Sequence, residues 1–267
     1  MIGKPVSTFP QRAPATTWKP HLARLRVPSR ALLDMILPPR ALDHGAATQT
    51  PGLSAEAWQR IRFLETPVCD GCGAPFEHDL GEGVRCAACS SRPRVFSRAR
   101  AACLYDDASR DLVLQLKHAD RTELAGLLTR WLSRAAAELI EDAELIVPVP
   151  MRPLRLLRRR YNQAAELARP LARRWRKPYA PQVLKRLKGD SQAGKSASGR
   201  RRAVAGAFQV PERCKTLVQG RRVLVVDDVM TTGATADACA RALLRAGARA
   251  VDIAVVARVG ETAWRDS

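Results

Sequence analysis

Apolar positions along this chain recur in blocks whose spacing alternates between helical and strand-like periods. Ser54–Leu64 places Trp58, Ile61 and Leu64 on one face behind Ser54, a suitable N-cap, and predicts a helix. Asp111–Trp131 does the same with Leu112, Leu116, Leu124, Leu127, Leu128 and Trp131, broken near His118-Ala-Asp120. Ser29–Leu37 reads as a short apolar helix stopped by Pro38-Pro39. Ala101–Tyr105, Leu145–Pro150, Val223–Val226 and Val251–Val259 read as strands, and Val223–Val226 is apolar at every position, as a strand buried on both faces requires. Asn162–Trp175 predicts a helix interrupted or turned near Pro170. Thr235–Arg245 predicts another, with Gly247 at its C-terminal cap position. Lys188–Arg202 lacks large apolar residues and reads as a mobile loop. Strand and helix alternate from residue 99 onward, so the expected class is α/β, a parallel sheet flanked by helices.

Residues 1–30, rich in Pro, Thr and Arg without a sustained period, read as a disordered basic arm. Residues 31–98 read as a small module with flanking helices, and 99–267 as the α/β domain. No apolar run approaches the ~18 residues of a membrane span, and no secretory signal is visible, so the expected location is the cytoplasm.

The formal charge of +19 changes this picture because it is concentrated. Met151–Arg222 holds 21 Lys or Arg against Glu166, Asp190 and Glu212, a net of +18. Such a stretch attracts phosphate, nucleic acid or an anionic surface, although single arginines serve equally well on solvated faces. Its aromatic residues Tyr161, Trp175, Tyr179 and Phe208 are widely spaced, a weak pattern for stacking on bases.

Four of the seven cysteines form two Cys-x-x-Cys pairs, Cys69/Cys72 and Cys86/Cys89, with 13 residues between them. That spacing matches one four-thiolate structural zinc site of the ribbon type. A redox dithiol is the other reading, but it needs only one pair. Cys103, Cys214 and Cys239 read as buried or incidental thiols.

The most specific stretch is Val223–Thr235, VLVVDDVMTTGAT. A buried strand delivers two adjacent carboxylates, Asp227 and Asp228, to its C-terminal end, where open α/β sheets bind ligands. Thr231, Thr232, Gly233, Ala234 and Thr235 then open directly into a helix, whose unpaired N–H groups and partial positive charge suit an anion. A site for one phosphate beside acceptors for a vicinal diol describes a ribose 5-phosphate. A capped helix after a strand with surface aspartates is the plainer alternative.

This segment resembles the phosphoribosyl diphosphate motif of type I phosphoribosyltransferases, which implies that Asp227 and Asp228 hold the ribose and residues 231–235 the 5-phosphate. The wider resemblance is to the ComF family, which joins a zinc-ribbon module to that fold. It is carried also by Leu114-Gln-Leu-Lys-His118, by Val147-Pro-Val-Pro-Met151 through Arg159-Arg-Tyr-Asn-Gln163, and by Gln192 through Ala207-Phe208. The similarity covers roughly residues 30–260. It implies a diphosphate loop near Met151 and Arg152, a flexible loop bearing Lys195, Arg200, Arg201 and Arg202, and Mg2+ bound with phosphoribosyl diphosphate. An earlier pair of metal knuckles, found in many members, is replaced here by Ala41–His44 and Ser54–Ala57, and Trp58 with Phe63 is expected to pack there. The family's association with natural transformation implies single-stranded DNA and competence-machinery partners. Three functions stay open on these residues: phosphoribosyl transfer, non-enzymatic DNA handling that uses the same phosphate pocket, and a sensor of nucleotide levels. No residue stands out as an acceptor base.

Overall fold

Val223–Val226 is apolar throughout because it lies between two layers: Val223 and Val225 join one buried cluster, Leu224 and Val226 the other. The computed structural model describes Leu42 and residues 52–116, 122–151, 161–187 and 206–260, all within the unit Pro39–Ser267. The N-terminal arm, Ser29–Leu37, His118–Asp120, Arg152 and the loop bearing Lys195, Arg200, Arg201 and Arg202 lie outside the described residues.

The core is a parallel sheet of β1 (Arg98–Leu104), β2 (Leu145–Pro148), β5 (Arg222–Met230) and β6 (Ala250–Arg258), in the order β1-β6-β5-β2. One face carries α3 (Asp107–Gln115), α4 (Thr122–Ala135), α5 (Ala137–Asp142) and α6 (Gln163–Trp175) over Leu128, Leu132, Leu167 and Leu171. The other carries α7 (Ala234–Arg245) and the two-stranded antiparallel sheet of β3 (Lys185–Arg186) with β4 (Phe208–Gln209), followed by the 3-10 helix Glu212–Leu217. This is the α/β class, a parallel sheet flanked by helices, that the sequence predicts.

Three local expectations differ. The helix expected over Ser54–Leu64 is α1, only Ala55–Arg60, although Ser54 does cap it by accepting from Ala57 N at 3.1 Å. The residues after it serve the open edge of β1 instead: Leu64 N donates to Ala102 O, and Leu104 N to Arg62 O. An edge strand's unpaired groups outbid another helical turn. The helix expected over Asp111–Trp131 with a break near His118–Asp120 is indeed two, α3 and α4, but α3 starts earlier than expected, behind Asp106, which forms a capping box with Ser109. Conversely, α6 runs unbroken through Pro170, because Leu167, Ala168, Leu171 and Ala172 are all buried and hold both halves against the sheet.

At the N-terminal end of the strands, Asp252 is fully buried and ion-paired with Arg98 and Arg222, each at 2.9 Å. Trp58, Phe63 and Trp131 form an aromatic cluster with ring centroids 4.8–5.6 Å apart. Among the described residues no helix is long and apolar enough to cross a membrane.

Candidate functional site

The residues at the C-terminal end of β5 are displayed by a strand-to-helix turn. β5 extends past the expected four residues to Met230 and so carries both aspartates. Asp227 accepts from Asp228 N at 2.9 Å, and Asp228 from Val229 N at 2.8 Å. The turn closes on Gly233 at φ +74°, a left-handed conformation that favours glycine, and Gly233 stands at the N-cap of α7 without any side-chain cap bond. The first-turn N–H groups of α7 thus get no cap from Gly233, and Ala234 N donates to Thr232 Oγ1 at 3.4 Å.

A cleft lies here, lined by Asp227, Met230, Thr231, Gly233, Ala234 and Thr235 over a floor that includes Val149, Val225 and Val255. The structure thus gathers five of the seven sequence-predicted ribose and phosphate residues. Thr232 is exposed and lies outside the lining, as does Asp228. Met151 is half-exposed in the loop after β2 and does not line the cleft; Val149 does. Asn162 braces that loop by donating from Nδ2 to Val149 O at 2.9 Å.

Burial pushes the Asp227 carboxyl well above the usual carboxylate range, and the adjacent Asp228 charge pushes the same way. Arg186 opposes it electrostatically. This residue escaped sequence reading; it sits on β3, its guanidinium 5.2 Å from the Phe208 ring centroid. Arg94 also escaped. It donates from Nη1 to Thr232 O at 2.9 Å and lies 3.5 Å from the Asp237 carboxylate.

The four paired cysteines form a second centre, with Cys86 and Cys89 at the start of the short helix α2 (Ala87–Ser91). Their sulfurs all lie within 4.8 Å of one another and all four residues are buried. The Cys72–Cys86 Sγ separation of 3.7 Å agrees with the ~3.8 Å between sulfurs of a tetrahedral site built on Zn–S bonds of about 2.3 Å. Cys69 Sγ accepts from Cys86 N at 3.2 Å and Cys72 N at 3.5 Å, bonds that outweigh burial and bring its thiol down to about 7. Burial, then the Cys72 charge, pushes Cys89 up to about 11. Four crowded sulfurs resist joint ionisation without a cation between them, and the set fits a divalent metal held by thiolates. Cys103, Cys214 and Cys239 are buried thiols away from this cluster.

Comparison with known proteins follows the same division. The phosphoribosyl transferase domain model matches residues 154–267. The DNA utilization protein YhgH of Escherichia coli K12 is 32% identical over 200 residues, which are 73% of this chain and 85% of that protein. The chain belongs to the ComF family. Competence protein F of Haemophilus influenzae is 30% identical to this ComF chain over 219 residues, covering 74% of it and 93% of that protein. The adenine phosphoribosyltransferase of Rhodococcus opacus is 51% identical over a short stretch of 49 residues, 18% of the ComF chain and 28% of the enzyme.

Proposed function

We propose that this ComF chain binds phosphoribosyl diphosphate with Mg2+ in the cleft at the end of β5 and transfers its phosphoribosyl group to an acceptor. The observation that carries this reading is one arrangement: the Asp227 carboxylate beside a glycine turn that opens onto the N-terminus of α7. Asp227 and Asp228 would accept hydrogen bonds from the ribose hydroxyls, while Thr231, Thr235 and the N–H groups of Gly233–Thr235 would donate to the 5-phosphate. Two adjacent carboxylates do not make an all-protein magnesium cage, and Mg2+ bound largely through the substrate's oxygens would neutralise the departing diphosphate. In the transfer the C1–O bond to diphosphate breaks, the diphosphate leaves with the electron pair, and the acceptor nucleophile bonds to C1. Ribose held at two points keeps C1 in place as positive charge develops there. The apolar floor of Val149, Val225 and Val255 limits water beneath the ribose. Reduced Cys-x-x-Cys pairs suit a cytoplasmic setting for this chemistry.

Calorimetric titration of phosphoribosyl diphosphate with Mg2+ tests the reading. Binding by the wild type that disappears in Asp227→Asn/Asp228→Asn supports it. A folded, zinc-loaded wild type that does not bind removes it.

A second reading rests on the relatives, named a DNA utilization protein and a competence protein, and on the net +18 of Met151–Arg222. In it the chain handles single-stranded DNA in natural transformation, alongside other competence proteins, and uses the same pocket for a phosphate without transfer.

A further inference from the structure

We propose that Arg258 and Arg94 are positioning residues that tie the cysteine centre to the phosphate loop, so that metal held by the cysteines sets how well that loop holds phosphate. The effect on phosphate rests on the cleft reading above; the mechanical coupling does not.

Arg258 closes β6 opposite Met230, the residue before the loop. It is only 4% exposed, yet no carboxylate among the described residues pairs with it. Its Nε is buried without a partner. What it touches is the metal knuckle: Nη1 donates to Cys72 O at 2.9 Å and lies 3.5 Å from Cys72 Sγ. A guanidinium removed from water needs a compensating anion. A metal-bound thiolate keeps negative charge on sulfur, and four thiolates around a divalent ion leave the centre anionic. The sulfur of Cys72 is thus the counter-charge of Arg258, a role partners of metal ligands commonly fill. From the same strand end, Val259 N donates to Met230 O at 3.0 Å and fixes the residue that leads into the loop.

The second tie leaves the module on its other side. Arg94 follows Cys89 by five residues and grips Thr232 O at 2.9 Å. Val95 N donates to the Asp237 carboxylate at 2.9 Å, in the first turn of α7. The loop is therefore held before Thr231, at Thr232 and after Thr235. The knuckle itself is seated rigidly: Gly73, at φ +67°, lies so close to β1 that a Cβ there would stand 2.6 Å from Ala99 O. Arg100 adds a bond from Nη1 to Asp70 O at 3.2 Å. With the metal gone, the Cys72 knuckle loses its fixed geometry and Arg258 its counter-charge, and the strain reaches Met230 through Val259.

The test uses the full-length, zinc-loaded protein, with hydrogen exchange over Met230–Asp237 as a readout that needs no ligand. Stripping zinc from the wild type is expected to speed exchange in this loop while β5 residues Val223–Val226 stay protected. Arg258→Met is expected to do the same and to release zinc to a colorimetric chelator about tenfold faster, with Arg258→Lys partly restoring both. Phosphoribosyl diphosphate affinity is expected to fall about tenfold in each case, the lower end of what losing a partner of a metal ligand does to activity. Where Arg258→Met does not fold, Arg94→Gln, with its side chain 22% exposed, puts the same question to the loop. Unchanged loop exchange after zinc removal and in Arg94→Gln overturns the proposal. A wild type that does not bind phosphoribosyl diphosphate overturns the cleft reading instead, and the exchange result then still decides the coupling.

Discussion

In the proposed reading, function and stability pull Asp227 in opposite directions. Its carboxyl is raised above the ordinary range by burial first and by the Asp228 charge next. A raised carboxyl contributes its stability below the unfolded pKa, near 4, and loses it as pH rises through the higher folded value. At neutral pH the empty cleft therefore carries an ionisation that disfavours the folded state. Asp227→Asn, which keeps an oxygen for the Asp228 N–H, is expected to raise the melting temperature of the ligand-free protein at pH 7, by about 2–4 °C for each kcal/mol relieved. The gain should vanish as the pH falls below 4, where the wild-type carboxyl is protonated in both states, and phosphoribosyl diphosphate binding should be lost throughout. Melting curves across pH beside calorimetry check both halves; a lowered melting temperature at pH 7 contradicts the argument. Gly233 is tuned differently. At φ +74°, with an added Cβ 3.2 Å from Arg94 Nη1, Gly233→Ala is expected to cost about 1–2 kcal/mol in urea unfolding from backbone conformation alone. It should also push Arg94 off Thr232. The place of Gly233 was legible in the sequence because strand, turn and helix follow one another within a dozen residues. Arg94 was not legible, since its partner lies 138 residues away and no local pattern marks such a meeting.

At the level of elements, what could be read was whatever a period encodes. The buried strands announced themselves by unbroken apolar runs, and α7 by its turn and its closing glycine. What could not be read was the competition between a local preference and a neighbour's need. The stretch Ile61–Leu64 has helical spacing but is claimed by the edge of β1, and α6 passes Pro170 because both its halves are buried. Asp252 is the sharpest instance. Within β6 it is the one acidic residue among apolar neighbours, and at 0% exposure it is tenable only because Arg98 and Arg222 close on it. Removing one member of a buried ion pair strands the others. Asp252→Ala is expected to cost about 3–5 kcal/mol in urea unfolding, through β1, β5 and β6 together, with the unfolding slope unchanged. A cost below about 1 kcal/mol, the range of exposed pairs, would show that the arginines find water when the carboxylate is gone.

At the level of the whole molecule, the basic stretch and the cleft make separable demands on a ligand. In the proposed reading, Asp227 and the neighbouring Asp228 face the diol of a ribose and the N–H groups at the start of α7 face its terminal phosphate. Single-stranded DNA has no 2′-hydroxyl, and inside a strand its 3′-oxygen is esterified, so Asp227 and Asp228 would meet no donor there and would repel the phosphodiester. Backbone phosphates are drawn instead to Met151–Arg222, where +18 of the net charge resides. Strand binding should therefore weaken with salt, with a log–log slope of about −0.7 for each phosphate contacted. It should be unchanged or slightly stronger in Asp227→Asn, and saturating phosphoribosyl diphosphate with Mg2+ should not displace an internal stretch of strand. Fluorescence anisotropy with a labelled oligonucleotide lacking a 5′-phosphate, at several salt concentrations and with or without phosphoribosyl diphosphate, measures all three. Competition between the two ligands, lost in Asp227→Asn, would mean that the strand enters the cleft itself and would shift the weight from transfer to DNA handling. Independent binding would leave the cleft to the activated ribose and give the basic stretch a partner of its own, on the same chain.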